Sequence, residues 1–95
     1  MGWKMTYISL PITGYDIEER KEYAQRIGNA LPGEVVNPLK NGVPLDAPYE
    51  EHIRKDIENL LRCDSIVMCD GWEHSRGCRL EWHIATMLGL KIFYR

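Results

Sequence analysis

Ser65-Ile66-Val67-Met68-Cys69, followed by Asp70-Gly71-Trp72-Glu73-His74 and then by the run from Ser75 to Leu88, decides the fold. The first five residues are an almost uninterrupted apolar segment, which suits a central parallel strand buried on both faces. The next five read as a loop. From about Ser75 the apolar positions Leu80, Ile84, Met87 and Leu88 recur at helical spacing. Gly89 stops that helix, and Lys91-Ile92-Phe93-Tyr94 reads as a last strand.

Upstream, the same alternation is written in shorter strokes. Met5 to Ser9 is a β-prone run that stops at Leu10-Pro11-Ile12-Thr13-Gly14, where Pro and Gly punctuate a turn. Asp16 stands three residues before Glu19, as in a capping box, and Ile17, Ala24, Ile27 and Leu31 keep helical spacing until Pro32-Gly33. Glu34 to Asn37 is a second short strand. The stretch from Leu39 to Pro48 has no periodicity, and at roughly ten residues it exceeds the usual loop median of about 4 to 6, which points to function. A second helix begins at Tyr49, with Tyr49, Ile53, Ile57, Leu60 and Leu61 marking one face. Strands alternating with helices predict one domain over residues 1–95: a three-layer α/β/α sandwich on a four-stranded parallel sheet, flavodoxin- or Rossmann-like, with right-handed crossovers.

Composition narrows the function. Leu, Ile, Val and Phe make up about a quarter of the 95 residues, enough for a packed core. A formal charge of -2 gives no support for binding a nucleic-acid polymer. No apolar run approaches the roughly 20 residues that span a bilayer, and the start MGWKMTYISL is too short and polar for a secretory signal, so a cytoplasmic protein without a membrane partner is expected. Cys63, Cys69 and Cys78 form no CxxC pair and read as reduced, packed thiols; His52, His74 and His83 form no ligand pattern, so neither a metal nor another cofactor is indicated.

Ligands of open α/β sheets gather beyond the carboxyl ends of the strands, where strand order reverses. This directs attention to Leu10 to Gly14 after the first strand, Asn37 to Pro48 after the second and Asp70 to Gly77 after the third, with the first and third strands as the expected central neighbours. At about 100° per residue, Glu81 falls inside the arc of Leu80, Ile84, Met87 and Leu88, so a carboxylate points where the core should be. It either serves chemistry or ties down an Arg or a backbone NH. Asp56 repeats the pattern at the edge of the stripe of Ile53, Ile57 and Leu60, with an interaction with His52 as the plainer account. Asp70 is a third carboxylate in reach, or a turn residue. Ser75 and Gly77 open the helix as an anion seat or as an ordinary cap. Tyr7 donates to a carboxylate across the cleft or packs in the core. Trp72 and Trp82 cover a base, or fill the core or an interface.

Taken together, Tyr7-Ile8-Ser9-Leu10-Pro11-Ile12-Thr13-Gly14, the Asp56 helix ending in Arg62-Cys63-Asp64, the apolar strand after it, and Ser75-Arg76-Gly77-Cys78-Arg79-Leu80-Glu81 resemble the nucleoside 2-deoxyribosyltransferase superfamily. Within it the chain is most similar to a small branch found in phages and their bacterial hosts, and to deoxyribonucleoside 5′-monophosphate N-glycosidases. The resemblance implies cleavage or transfer of the N-glycosidic bond of a 2′-deoxyribonucleoside or its 5′-monophosphate, through a covalent glycosyl intermediate on Glu81. It implies that Tyr7 orients that carboxylate, that Asp56 holds the base or delivers a proton, and that Ser75 and the Gly77 amide hold a 5′-phosphate. Ser9, Leu10, Pro11, Ile12, Gly14, Asp70 and Trp72 are expected to line the substrate, with Leu10 where relatives usually carry Gly. Longer relatives continue past the position of Arg95 into a fifth strand and segments that complete a neighbouring subunit's site. The alternative is a binding module that senses or sequesters a nucleotide without turnover. A homo-oligomer is expected on either reading, because a four-stranded sheet with a small core gains from covering a helix face, with Trp82 and His83 as candidates.

Overall fold

The computed structural model describes residues 5–95. Met1 to Lys4, part of the start read above as unlike a secretory signal, lie outside the described residues. Strands and helices alternate as expected: β1 (Met5–Ser9), α1 (Ile17–Asn29), β2 (Glu34–Val36), α2 (Tyr49–Leu60), β3 (Ser65–Met68), α3 (Arg76–Leu88) and β4 (Lys91–Tyr94). The strands form one four-stranded sheet in the order β2-β1-β3-β4, and every pairing is parallel. Sheet order therefore reverses between β1 and β3, which puts the carboxyl ends of those two strands at the switch point.

Side-chain alternation divides the core into two layers. Ile8, Leu10, Val67 and Cys69 pack with Ala24 and Ile27 of α1, while Tyr7, Ile66 and Met68 pack with Leu60 at the end of α2 and with Cys78 and Ala85 of α3. Helix α1 thus covers one face, and α2 and α3 cover the other. The register explains why each layer is consistent: Tyr7 lies opposite Ile66, Ile8 opposite Val67, and Ser9 opposite Met68. Even the polar pair in the sheet is matched, since Thr6 and Ser65 share a hydrogen bond of 2.7 Å between their hydroxyls. All three cysteines are buried and free.

Local chemistry sets the helix ends. Asp16 accepts the Glu19 amide at 3.0 Å, and Ser75 accepts the Cys78 amide at 3.2 Å. Gly89, at φ 73°, closes α3 in the left-handed conformation that a side chain would disfavour. Two single turns of 3-10 helix, Pro38–Lys40 and Trp72–His74, occupy stretches read as plain loop. The first is capped by the Asn37 side chain, which accepts the Leu39 amide at 2.9 Å.

Two helical faces differ from the sequence reading. On α3, Leu80, Met87 and Leu88 are exposed, Met87 by 77%, and the buried stripe is Cys78, Glu81 and Ala85, about a third of a turn away. Small residues on that stripe let the helix approach the sheet closely, and Glu81 is accepted there because the sheet supplies hydroxyl partners. On α2, Tyr49 and Leu61 are exposed, while Asp56, Asn59 and Leu60 are buried. Among the described residues no helix is long and apolar enough to cross a membrane.

Candidate active site

Residues two apart on a strand share a face, so Tyr7 and Ser9 both point from β1 toward α3. There they meet Glu81, which is only 5% exposed. The Tyr7 phenol donates to Glu81 Oε2 at 2.9 Å, and the Ser9 hydroxyl donates to Oε1 at 2.7 Å. Both carboxylate oxygens are thereby held in a fixed plane. Burial pushes the Glu81 carboxyl up to about 7, against the two hydroxyl donors that favour its ionised form; the neighbouring charge of Asp56 adds a smaller upward push. Burial, then the charges of Glu81 and Asp56, hold the Tyr7 phenol well above its ordinary range, so it acts as a donor.

Asp56 approaches from α2 and is 9% exposed. Its carboxyl is also raised by burial, and is drawn back down by the Asn41 amide, by His52 and by Tyr7. Asn41 Nδ2 donates to Asp56 Oδ1 at 3.0 Å. The arrangement is a pair of buried carboxyl groups on either side of one phenol, both less acidic than in water. Glu81 is clamped at both oxygens by Tyr7 and Ser9, and Asp56 is held at one oxygen by Asn41.

These groups open into a cavity of about 330 Å³, whose lining includes Ile12, Leu39, Asn41, His52, Asp56, Ser75 and Glu81. Much of its wall is apolar, with Ile17, Val43, Leu45, Tyr49 and Ile53 contributing from three different segments. A second cavity, of about 490 Å³, adjoins it and shares Ile12, Thr13, Tyr49, Ser75 and Gly77. Its remaining lining includes Pro11, His74 and Arg76 at the amino end of α3, where free backbone amides and the helix dipole favour an anion. Glycine gives a close fit at position 77: a Cβ there would lie in tight contact with the Tyr49 hydroxyl, at 3.2 Å, and in ordinary contact with Ile53 Cδ1, at 3.5 Å. Its absence lets the start of α3 sit against α2 and leaves the amides open.

The loop after β1 is fixed from below. Arg20, buried on α1, donates to the Pro11 carbonyl at 3.2 Å, forms two bonds with the Glu19 carboxylate, and lies 4.2 Å from the Tyr15 ring centroid. Gly71, at φ 88°, gives the opposing loop room, because a Cβ there would meet the Tyr15 hydroxyl at 3.0 Å.

Several residues expected at the site stand together: Glu81, Tyr7, Ser9 and Asp56 form its chemical centre, and Pro11, Ile12, Ser75 and Gly77 line one or both cavities. Others stand elsewhere. Leu10 is buried in the layer against α1, so its side chain turns away from both cavities. Trp72 stacks on Trp82 at 5.6 Å and lies beside Tyr94, whose hydroxyl accepts the Trp82 indole N–H at 2.9 Å. Both tryptophans therefore form a ring cluster at the β4 edge. Asp70 is exposed and Gly14 lies at a turn with φ 88°; neither lines the two cavities. Asn41, His52 and Tyr49 were absent from the expected set. The long loop before α2 was the signal for Asn41, and the face of α2 that carries Asp56 was the signal for the other two.

This carboxylate-centred cleft lies at the switch point of a parallel α/β sheet, and a solved structure agrees with the chain in fold. The chain is similar to a 2-desoxiribosyltransferase from Leishmania mexicana, with a TM-score of 0.70 and 18% identity over 96% of this chain. It spans 63% of the length of that protein. The chain belongs to the family described as a domain of unknown function, DUF4406, whose model matches residues 4–94. A search of curated proteins by sequence gave no significant match.

Proposed function

We propose that the protein cleaves or transfers the N-glycosidic bond of a 2′-deoxyribonucleoside or its 5′-monophosphate. The observation that carries this reading is the buried Glu81 carboxylate, held at both oxygens by Tyr7 and Ser9, with Asp56 on the same cavity. In the first step a Glu81 oxygen bonds to C1′ of the sugar as the bond from C1′ to the base nitrogen breaks. The electron pair of that bond stays on the base nitrogen, and the Asp56 proton neutralises it. The transition state is oxocarbenium-like, and the ionised Glu81 stabilises it before closing the covalent ester. In the second step water or another base attacks C1′, its proton passes to Asp56, and Glu81 is released. Water gives a hydrolase, and a second base gives a transferase.

The wall formed by Leu39, Val43 and Ile53 suits the flat face of a base, with His52 and Asp56 at its polar edge. Ser75, the Gly77 amide and Arg76 suit a 5′-phosphate at the amino end of α3. No resident cofactor enters the chemistry. A homo-oligomer belongs to the same proposal, and the apolar stripe of α3 supports it better than Trp82 does.

The deciding experiment incubates the protein with each 2′-deoxynucleoside and each 5′-monophosphate and measures free base by chromatography. Wild type is expected to release base, and Glu81→Ala to lower release at least 1,000-fold through loss of the covalent route. Tight nucleotide binding by calorimetry with no base released by wild type would replace the enzyme with a sensing or sequestering module.

A further inference from the structure

Asn41 stands out on the segment between β2 and α2. Its neighbours Lys40 and Gly42 are exposed, yet Asn41 is only 9% exposed, and both ends of its side-chain amide are used. The Oδ1 atom accepts the Val43 amide at 2.9 Å, which closes a tight turn over Gly42, at φ 84°. The Nδ2 atom donates to Asp56 Oδ1 at 3.0 Å and lies 3.4 Å from His52 Nδ1. Turning the amide over would set its NH₂ against the Val43 N–H and its oxygen against a carboxylate. The orientation is therefore forced by the loop backbone on one side and by α2 on the other.

We propose that Asn41 is a positioning residue that locks the 39–48 loop to Asp56 and selects which oxygen of Asp56 carries the proton. With Oδ1 engaged as an acceptor of the amide N–H, the proton of the neutral acid resides on Oδ2. The same amide anchors Val43, a residue of the cavity wall, so seating of the wall and orientation of the acid are one event. This rests on the reading of Asp56 as the proton donor.

Other groups face Asp56 as well, and they define what the test must separate. His52 lies on the same helix, Tyr7 reaches it from β1, and the Asp56 charge in turn bears on Glu81 and Cys78 of α3. Lys21 of α1 lines the same cavity, where it pairs with Glu18. Among the described residues, Asn41 bonds both Asp56 and the Val43 amide and so ties the acid to the loop.

The test uses two variants of the full chain. Asn41→Ala removes both bonds, whereas Asn41→Asp keeps an acceptor for Val43 but replaces the donor with a second carboxylate. Asp56 is titrated through its side-chain carboxyl carbon by NMR on protein labelled at aspartate, with Asp56→Asn supplying the assignment. The midpoint is expected to rise by about one pH unit in Asn41→Ala, from loss of a charge-assisted hydrogen bond, and further in Asn41→Asp, where two carboxyls share a proton. Hydrogen exchange at the Val43 amide should accelerate in Asn41→Ala and stay slow in Asn41→Asp. In the base-release assay both variants should lose kcat by about 10-fold to 100-fold with little change in KM, and the pH profile should move with the Asp56 midpoint. An Asp56 midpoint that is the same in wild type and both variants would overturn the proposal, and Asn41→Asp keeps it testable if Asn41→Ala does not fold. The titration and the hydrogen exchange need no substrate, so failure of wild type to release base would sink the enzymatic reading while the titration still decides whether Asn41 holds Asp56.

Discussion

A carboxylate buried beside Tyr7, Ser9 and Cys78 is costly to ionise, and Glu81 shows how that cost is contained. Two hydroxyl donors reach its oxygens at 2.7 and 2.9 Å, yet burial still raises its carboxyl to about 7, above the value of 4.5 expected for an unperturbed side chain. The sign of the linkage follows. Because the folded-state value lies above the unfolded one, the stability that the neutral acid provides is complete below about pH 4.5, and it is lost as the pH rises through about 7. Glu81→Gln removes the titrating group, so this variant should gain stability over wild type between pH 5 and pH 8, by on the order of 2–3 kcal/mol. Denaturant melts of both proteins at the two pH values measure this, and a difference that does not change with pH would contradict the buried-acid description. At this scale the sequence was informative about Glu81, since it broke a helical pattern, and about Tyr7 and Ser9, since alternation puts them on one face. Asn41 was hidden because its partners, Val43 and Asp56, are brought together only by the loop fold.

At the scale of single elements, α3 carries the greatest difference between pattern and packing. Its extent and both caps follow from Ser75 and Gly89, but the face it buries does not follow from its apolar residues. The stripe of Cys78, Glu81 and Ala85 wins because Cys and Ala permit close contact with β1 and β3, and because Glu81 finds donors there. Leu80, Met87 and Leu88 are left outside. The amino end of the same helix holds the proposed phosphate seat, and Ser75 serves both as cap and as seat. Ser75→Ala should destabilise the fold by about 1 kcal/mol through loss of the bond to the Cys78 amide. It should also weaken 5′-monophosphates about tenfold relative to the corresponding nucleosides, measured by calorimetry. Equal weakening of both ligand classes would remove Ser75 from the phosphate site. Helix α2 shows the same principle in milder form: Tyr49 reads as core from its spacing, and the structure turns it toward the cavities.

For the whole molecule, the exposed stripe on α3 has a consequence for assembly. Leu80, Met87 and Leu88 line one side of a helix already packed on the sheet, and with Leu61 at the end of α2 they leave apolar surface in water. Two copies related by a two-fold axis would cover it with the same residues on both sides, as isologous dimers do. Light scattering is expected to give about twice the chain mass, and Leu80→Glu combined with Met87→Glu to return it to the monomer. A wild type that stays monomeric at high concentration would refute this interface. Of the candidates from sequence, Trp82 is engaged by Trp72 and Tyr94 of its own chain, and His83 is exposed on the same helix. The sheet order was legible at this scale, because short βαβ units leave few right-handed ways to wind four parallel strands.

By itself the sequence determined the alternation of strands and helices, the parallel sheet, the loops that converge at its switch point, and Glu81 as the residue out of place. Those features depend on local spacing, caps and turn residues, all of which are properties of neighbouring positions. Only the tertiary structure decided which face of α3 is buried, that Leu10 and Trp72 stand away from the cavities, and that Asn41 joins a loop to Asp56. Each of these depends on contacts between residues far apart in the chain, where close packing and the pairing of buried polar groups outweigh the hydrophobic pattern of any one segment.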